Sequence, residues 1–426
     1  MMDIALRVLG FAAIAGVMWY VLRPVPASLK VLMLTAFMDM VGLLMVMPLL
    51  PFYAKDLGAS GFTMTLIVSS FSAAQLLSAP LWGRVSDKYG RRPALIIGLA
   101  ASAVSYVVFA FADSLWLLLV SRIIQGAGGG TVGVIQAYVS DAMEPKKRAQ
   151  GLGWLSAATN VGVMIGPVLG SETSRFGRPA PGLIAAALCV LNIVFVWYYL
   201  IESHGTEARR KAKTARPTRD AISRILFHPA DPATRLIWIY AISIGAFYGV
   251  TASGILTFFL DERYKVTPQT IGYFFAYIGV LNVVFRVALL GKVIEKFGEG
   301  KTARLGIALL ALGLFAIPLT NSIPLLALAA GLLPLGATLT FPAVTALLSQ
   351  VIGEHERGLY MGLQQTFGGI VRVVYPLWAG FAWDKFATVV PFWTSAGLVA
   401  AMFFLAVGLE AYQHPRTGEH PVIPEV

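Results

Sequence analysis

The chain has 426 residues, of which 57% are hydrophobic and 13% are charged, and its formal net charge at pH 7 is +11. A soluble globular domain is about 45–50% apolar and about 25% charged, so this composition excludes an ordinary soluble fold. The apolar residues form blocks of roughly 20 residues, the length of a helix that crosses a bilayer. Because the blocks lack the short alternation of a transmembrane barrel, they predict helices. The basic residues lie between the blocks, which indicates membrane topology and not nucleic-acid binding.

Twelve of these blocks predict twelve transmembrane helices, which we call spans one to twelve. Their approximate bounds are 29–53, 63–82, 94–112, 115–140, 149–170, 181–201, 235–260, 268–290, 303–320, 323–350, 358–382 and 390–412. The one long connector, 202–234, is basic and contains prolines, so it predicts a solvated cytoplasmic linker. The predicted organisation is an all-α polytopic protein with one six-helix bundle at 29–201, a second at 235–413 and a cytoplasmic tail at 414–426.

Positive charge alternates between successive connectors and predicts the orientation of the chain. Connectors rich in lysine and arginine hold Arg84, Lys88, Arg91 and Arg92, then Lys146, Lys147 and Arg148, then the central linker, then Lys292, Lys296 and Lys301, then Arg357. These connectors are predicted to be cytoplasmic, so span one runs from the inside to the outside.

A further apolar stretch at 4–22 lies within the first 28 residues, ahead of span one. If this stretch crosses the membrane, the chain has thirteen spans and its amino terminus lies outside. An interfacial helix and a cleaved signal peptide are the alternatives.

A glycine- and charge-rich sequence at 83–93 occupies the predicted cytoplasmic turn between spans two and three. Gly83 and Gly90 permit a tight turn between helices. Asp87 suits the amino terminus of a helix, where an anion is favoured. Arg91 and Arg92 are expected to pair with acidic residues at neighbouring helix ends.

The same order of glycine, acid, aromatic residue and glycine recurs at 291–298, between spans eight and nine. In both copies the acid follows the first glycine by four positions, and the aromatic residue follows the acid by two. Because the copies occupy the same place in each half, the sequence predicts an internal repeat around an axis normal to the membrane.

Two ionisable residues lie deep inside predicted spans. Asp39 and Arg122 are each roughly 12–15 Å inside their spans at 1.5 Å per residue. A charge at the helix centre costs about 2.5–3.5 kcal/mol on insertion scales, so both residues need a reason to be there. Asp39 is the candidate proton carrier and Arg122 is the candidate cation beside it. A static buried ion pair is the alternative, and both interpretations point the two side chains into the bundle.

Four segments together resemble the major facilitator superfamily of transporters. The loop at 83–93 is similar to its signature loop, and 118–126, with Arg122 and Gly126, is similar to its second motif. The segment 162–170 resembles the motif associated with its antiporters, and 38–51, around Asp39, resembles the first span of tetracycline-type exporters. The residues that carry the antiporter resemblance are Gly162, Gly166, Pro167 and Gly170.

The resemblance covers about residues 29–412 and implies two six-helix bundles that rock around a central site. It also implies that Asp141, at the end of span four, pairs with Arg91 or Arg92 as an inside gate. An exposed helix-end acid is the alternative for Asp141. The four-residue spacing of the glycines is also typical of close helix packing without any further role.

The second half departs from the tetracycline pattern. Asn282 stands where those exporters carry a functional histidine, and Leu310 stands near their functional aspartate. Two arginines are present instead, with Arg372 near the middle of span eleven and Arg286 near the cytoplasmic end of span eight. This pattern argues against tetracycline itself and favours an anionic or zwitterionic substrate. Further candidates for the substrate cavity, with helix packing as the alternative, are Gln136, Asn160, Gln364, Tyr240 and Tyr375.

The sequence contains no phosphate-binding loop of the Walker type, and its five histidines fall in loops or the tail without metal-like spacing. We therefore expect no enzymatic activity, no metal and no cofactor besides the proton as coupling ion. The predicted function is a monomeric, proton-coupled antiporter of the plasma membrane that exports small amphipathic molecules by alternating access. An importer or symporter of an organic anion is one alternative, and a receptor or scaffold without transport is another.

Overall fold

A computed structural model describes residues 27–144, 147–202, 218–228, 231–353 and 356–412. Its helices in chain order are α1 (Ala27–Val46), α2 (Leu50–Asp56), α3 (Gly61–Tyr89), α4 (Arg91–Ala110), α5 (Leu115–Gly128), α6 (Thr131–Ala142), α7 (Arg148–Ser174), α8 (Ala180–Tyr199), α9 (Thr218–Phe227), α10 (Pro232–Thr251), α11 (Ile255–Tyr264), α12 (Ile271–Val284), α13 (Leu290–Ala316), α14 (Ile323–Val351), α15 (Arg357–Lys385) and α16 (Val390–Leu405). A π-helical turn at Phe285–Leu289 joins α12 to α13. No strand occurs in these described ranges, and the predicted all-α polytopic fold is confirmed.

Each of the twelve predicted spans falls on helix. Nine stretches of the described chain are long and apolar enough to cross a bilayer, and one of them, Ile271–Leu319, covers most of span eight and nearly all of span nine. The two remaining spans are α15, which carries Arg372 near its middle, and α16, which has only 16 residues. The stretch at 4–22 lies outside the described residues, so its predicted role stays a prediction, as do the predicted domain boundaries.

The helices from 27–202 and those from 218–412 meet along two helix pairs. α3 packs against α15, and α7 packs against α12. Both contacts depend on glycine, since a Cβ at Gly380 would lie 2.1 Å from Thr65 Oγ1 and a Cβ at Gly272 would lie 2.0 Å from the Pro167 carbonyl oxygen. Because glycine has no side chain at these positions, the backbones of the two groups of helices can come into direct contact.

Hydrogen bonds between the same two groups gather at the end that the charge pattern predicts to be outside. Asp384 accepts from the backbone amides of Gly61 and Phe62, each at 2.8 Å. Ser171 Oγ donates to the Pro268 carbonyl oxygen at 2.7 Å. Lys55 forms an ion pair with Asp261. We call these contacts the outer clasp, and they close the predicted outer end.

The opposite end contains a cavity of about 450 Å³ that extends from Arg372 to Arg91. Arg91 is the first residue of α4, at a predicted cytoplasmic end. The molecule is thus closed at the predicted outer end and has this interior space toward the predicted inner end.

Candidate functional site

Asp39 lies in α1 and is only 9% exposed. Its Oδ2 accepts a hydrogen bond of 3.0 Å from the hydroxyl of Thr131. Thr131 is the first residue of α6, so the carboxylate lies at the amino-terminal end of that helix. Because this end carries a partial positive charge, it stabilises the ionised form of Asp39.

The position of Thr131 depends on a break in span four. α5 ends at Gly128 and α6 begins at Thr131, with Gly129 and Gly130 between them. A Cβ at Gly130 would lie 2.1 Å from Trp82 Cγ, so only glycine permits α3 to approach this closely. Sequence reasoning missed Thr131, although three consecutive glycines before a threonine inside an apolar span were a visible signal.

Arg122 does not pair with Asp39 in this structure, contrary to the static ion pair that we considered. Arg122 is 0% exposed, and its three guanidinium nitrogens form no hydrogen bond with described residues. Its guanidinium lies 5.5 Å from the ring centroid of Phe109 in α4. The physical reason is the direction of the two side chains: Asp39 bonds to α6, whereas Arg122 turns toward α4.

Tyr106 of α4 reaches the surface of α1 close to Asp39. Its hydroxyl accepts a hydrogen bond of 2.7 Å from Gln125 Nε2. A Cβ at Gly42, one turn after Asp39, would lie 3.4 Å from that hydroxyl. A buried polar group therefore connects the helix of Arg122, through Gln125, to the helix of Asp39.

Asp39 faces a cavity of about 180 Å³ that gathers three of the predicted site residues. Gln136 and Asn160 line it together with Asp39. The second group of helices contributes Arg286, which lies on the π-helical turn after α12. We call this space the carboxylate cavity. π-helical turns within helices often occur at functional sites, and this one carries a cation that lines the same cavity as Asp39.

The space of about 450 Å³ lies on the other side of α6, and we call it the arginine cavity. Val132 of α6 lines both the arginine cavity and the carboxylate cavity. Arg372 lines the arginine cavity from α15, and its guanidinium lies 5.9 Å from the ring centroid of Tyr248. One helix therefore separates the buried carboxylate from the predicted mid-membrane arginine.

The other predicted cavity residues are more scattered. Asn282 lines a mostly apolar space of about 180 Å³ beside Pro167. Tyr240 lines an open cleft with Arg286 and packs edge-on against Phe341 with 5.5 Å between ring centroids. Their predicted role as substrate contacts stays a prediction.

Tyr375 and Gln364 do not line any of these spaces. Tyr375 packs against Gly245 and Gly249 of α10. Gln364 is 0% exposed, and its Oε1 accepts from the Thr345 hydroxyl at 3.4 Å. Both positions fit the helix-packing alternative, and a role in substrate binding stays a prediction for each.

Asp141 pairs with Arg91 of the signature loop, as predicted, and its role as an inside gate stays a prediction. Arg91 Nε donates to Asp141 Oδ2 at 3.0 Å, and Arg91 Nη1 donates to Asp87 at 2.8 Å and to Ser86 at 2.7 Å. Arg91 is 9% exposed. One buried guanidinium therefore joins the ends of α3, α4 and α6 that are predicted to be cytoplasmic.

Two expectations for this loop were wrong. Gly83 does not form the turn, because it lies within α3 and nothing approaches the position of its absent Cβ. Of the two glycines, Gly90 alone has a positive φ, 107°, which is the backbone conformation that favours glycine. Asp87 is not at a helix amino terminus but in the last turn of α3, where it pairs with Arg91.

Glu202 occupies the place that we expected Asp87 to take. Its Oε1 accepts from the Arg91 amide at 2.8 Å and its Oε2 from the Arg92 amide at 3.1 Å, at the start of α4. The Arg92 side chain pairs with no acid in the described ranges, since it donates to the Trp197 carbonyl oxygen and stacks on that ring. Sequence reasoning missed Glu202, the acid at the first position of the predicted linker, directly after span six.

The second copy of the loop repeats the geometry of the first. Gly298 has φ of 74° and ψ of 169°, close to the φ of 107° and ψ of 162° at Gly90. Gly291, like Gly83, is helical and has nothing near its absent Cβ. The internal repeat predicted from the sequence is therefore visible in the backbone.

The glycines of the antiporter motif pack α7 against α1. A Cβ at Gly162 would lie 2.8 Å from the Phe37 carbonyl oxygen, and a Cβ at Gly170 would lie 2.1 Å from the Met45 carbonyl oxygen. At Gly166, a Cβ would lie 2.9 Å from Leu44 Cβ. The contacts at Phe37 and Met45 flank Asp39, so this motif fixes the helix that carries the buried carboxylate.

No group of three or more histidine, cysteine, aspartate or glutamate side chains in the described ranges is arranged to hold a metal ion. The expected absence of a cofactor stays a prediction.

Comparison with known proteins decides the family. Residues 32–289 and 237–424 match the family model of the Major Facilitator Superfamily. The chain belongs to the major facilitator superfamily. It is therefore a multi-pass transporter of the plasma membrane with small-molecule substrates, as the sequence predicted.

Bacterial relatives of this facilitator cover most of its length. It is 24% identical over 372 residues to Tetracycline resistance protein, class B, of Escherichia coli, a match that covers 84% of this chain and 92% of that protein. It is 26% identical over 358 residues to Multidrug resistance protein 2 of Bacillus subtilis, with 83% of this chain and 88% of that protein covered.

Solved structures support the fold alone. The human organic anion transporter MFSD10 is 24% identical and has a TM-score of 0.66, with 89% of this chain and 99% of that chain covered. A POT family transporter is 14% identical and has a TM-score of 0.74, with 91% and 96% covered.

Proposed function

We propose that this facilitator is a proton-coupled antiporter that exports small amphipathic molecules by alternating access. The observation that carries the proposal is the Asp39 carboxylate, which lies in a cavity inside the bundle and is hydrogen-bonded at the broken end of span four. The names of the bacterial relatives, which are tetracycline, multidrug and quinolone resistance proteins, support export as the direction.

A proton that binds Asp39 removes the negative charge from the amino-terminal end of α6. The attraction between that charge and the helix end is worth about 0.3–2 kcal/mol, depending on how buried the pair is. Because α6 also lines the arginine cavity through Val132, a change in its position alters the wall of the substrate site. The proton and the substrate thereby compete through one helix.

Three further sets of residues have roles in the proposed cycle, either in opening the outer end or in keeping the first group of helices together. The outer clasp closes the outer end in this geometry, and it must open when the molecule faces outward. Arg91, with Asp87 and Asp141, holds the cytoplasmic ends of the first group of helices together as one body. The glycine face of α7 keeps α1, and therefore Asp39, attached to that body.

Everted membrane vesicles with an acidic interior test proton coupling. A transmembrane pH gradient is followed by the quenching of a weakly basic dye, and a compound that is exchanged for protons dissipates the gradient. Tetracycline and a quinolone serve as first probes, and a compound library follows. We expect Asp39→Asn to abolish the substrate-evoked proton release, and Asp113→Asn, at an exposed loop position, to retain it. Wild-type release at the native rate by Asp39→Asn would overturn the proposal.

An importer or symporter of an organic anion is the second candidate, and Arg372 favours it. This arginine lines the cavity of about 450 Å³ and forms no ion pair with a described residue. The human organic anion transporter MFSD10 shares the fold. Proteoliposomes with opposite imposed proton gradients separate the two functions, because an antiporter and a symporter accumulate substrate on opposite sides. A chain that binds and moves nothing under either gradient would favour a receptor or scaffold.

A further inference from the structure

The arginine cavity contains positive charge without negative charge on its described walls. Two arginines line it, Arg91 at the predicted cytoplasmic end and Arg372 deeper inside, and no aspartate or glutamate does. Asp39 faces the separate carboxylate cavity beyond α6. The carboxylate of the proton site therefore does not neutralise this cavity from within.

The two arginines differ in their partners. Arg91 donates to Asp87, Asp141 and Ser86, so its charge is already balanced by carboxylates. Arg372 has a buried Nε without a hydrogen-bond partner among the described residues, and its guanidinium lies 5.9 Å from the centroid of the Tyr248 ring. The uncompensated charge of the cavity therefore belongs to Arg372.

Arg372 lies in the middle of a long helix. It lies near the middle of α15, which has 29 residues, and its Nη2 would be 3.8 Å from a Cβ at Gly368, one turn earlier. An arginine at this depth is costly, and such residues face water-filled or ligand-filled space and pair with a counter-charge.

The groups around Arg372 can complete a binding site for an anion that carries an apolar body. Ser72 and Gln75 line the cavity from α3, and Gln365 and Thr366 line it from α15, about two turns before Arg372. The Ser72 hydroxyl and the Gln365 amide supply hydrogen-bond donors, whereas the Thr366 hydroxyl already donates to the Gly362 carbonyl oxygen and Gln75 Nε2 to that of Gly129. A planar guanidinium binds a carboxylate or phosphate through two parallel hydrogen bonds. Leu76 and Trp82 supply apolar surface on the same wall.

We infer that the substrate of this facilitator carries an anionic group, such as a carboxylate, which binds Arg372 in the arginine cavity while its apolar part contacts α3. This inference rests on the proposed transport function and adds the charge class of the substrate. It also connects the two cavities: the anion occupies one side of α6, and the proton on Asp39 occupies the other.

A charge series on one scaffold tests the inference by binding alone. 1-Naphthoate, 1-naphthamide and 1-naphthylmethylamine present an anion, a neutral group and a cation on the same ring system. Their binding to the purified full chain in detergent is measured by calorimetry and thermal shift at one pH, without any gradient. A hydrogen bond to a charged group is worth about 1.5–3 kcal/mol, so we expect naphthoate to bind at least about tenfold more tightly than the amide, and the amine to bind least.

Variants of two arginines assign the preference to a residue. Arg372→Gln should bind naphthoate and naphthamide about equally, whereas Arg372→Lys should keep a weaker preference for the anion because it retains a point charge. Arg84→Gln removes the same charge at an exposed position next to the cavity wall and should leave the preference unchanged. Because the series is first run on the unaltered chain, the inference stays testable even if Arg372→Gln does not fold.

Three results would overturn the inference: tighter binding of the cation, an anion preference that survives Arg372→Gln, or no binding of naphthoate up to its solubility limit. Failure of the proposed function is distinguishable from each of these. Asp39→Asn should keep the anion preference even though it abolishes coupled proton release. If the proton test failed and the charge series succeeded, the chain would be an anion transporter without this proton site.

Discussion

Thr131 donates its hydroxyl proton to the Asp39 carboxylate at 3.0 Å across the break in span four. The bond joins the helix that carries the buried acid to the helix that lies between the two cavities. Thr131 and Asp39 are 92 positions apart in the chain. Their hydrogen bond couples the protonation of Asp39 in the carboxylate cavity to the position of α6, which also forms part of the wall of the arginine cavity.

Replacement of Thr131 by valine tests this connection. Thr131→Val removes the donor and keeps the shape, so ionised Asp39 loses a hydrogen bond that is worth about 1.5–3 kcal/mol. We expect the pH profile of substrate-driven proton release to move about one unit or more toward higher pH. Thr131→Ser keeps the hydroxyl and should retain the native profile. An unshifted pH profile for Thr131→Val would mean that Thr131 has no part in proton coupling.

The glycine face of α7 gives a prediction about stability. Gly170→Ala would place a Cβ 2.1 Å from the Met45 backbone oxygen, so α1 and α7 must move apart. We expect a loss of about 1–3 kcal/mol, typical of an overpacked interior, and a lower thermal unfolding temperature in detergent. Gly153→Ala in the same helix meets nothing within 4 Å and should be neutral or slightly stabilising. Equal unfolding temperatures for the two variants would contradict the packing role.

The sequence predicted the helices, the internal repeat and the buried charges because each of these depends on local composition or on spacing along the chain. It could not predict which groups those charges meet. Thr131 and Glu202 bond to residues 92 and 111 positions away, and only the packing of α1, α4, α6 and α8 brings them together. Arg122 was found by its depth, but its turn toward Phe109 depends on the direction of neighbouring helices.

The two glycines of the signature loop should respond to alanine in opposite directions. Gly90→Ala forces a side chain into a backbone with φ of 107° and places its Cβ 2.5 Å from the Glu202 carboxylate. We expect it to cost about 1–3 kcal/mol of stability. Gly83→Ala adds a good helix former where nothing is near and should stabilise α3 by about 0.5–1 kcal/mol. Thermal unfolding of both variants measures these two changes in stability. Destabilisation by Gly83→Ala would mean that Gly83 is needed for the turn, as the sequence predicted.

Removal of the Arg91 guanidinium should loosen the cytoplasmic end of the first helices. Arg91→Gln loses the charged contacts to Asp87 and Asp141, and we expect a loss of roughly 1–3 kcal/mol. Arg84→Gln removes an exposed charge from the same loop and should change stability by no more than about 0.5 kcal/mol. Chemical unfolding and limited proteolysis of the loop give the comparison. Matching behaviour of the two variants would mean that Arg91 contributes only to topology.

The outer clasp predicts which residue controls the opening of the outer end. Asp384 accepts from two free amides, those of Gly61 and Phe62, at the first turn of α3, and it does so from the last turn of α15. The two helices belong to different groups, so this bond exists only while the outer end is closed. A capping carboxylate of this kind is worth about 0.5–2 kcal/mol.

Asp384→Ala should therefore shift the population toward the outward-facing state, by roughly fivefold for each 1 kcal/mol lost. Spin labels at the exposed positions Asp56→Cys and Glu262→Cys, in a Cys189→Ala background, report the distance across the outer end by pulsed electron resonance. We expect the long-distance population to grow in Asp384→Ala and to stay at the native level in Lys385→Gln, which changes the neighbouring exposed charge. Because the two groups of helices also meet through the glycine contacts along α3 and α15, Asp384→Ala should open the outer end without unfolding the chain. An unchanged distance distribution would mean that those backbone contacts alone hold the outer end closed.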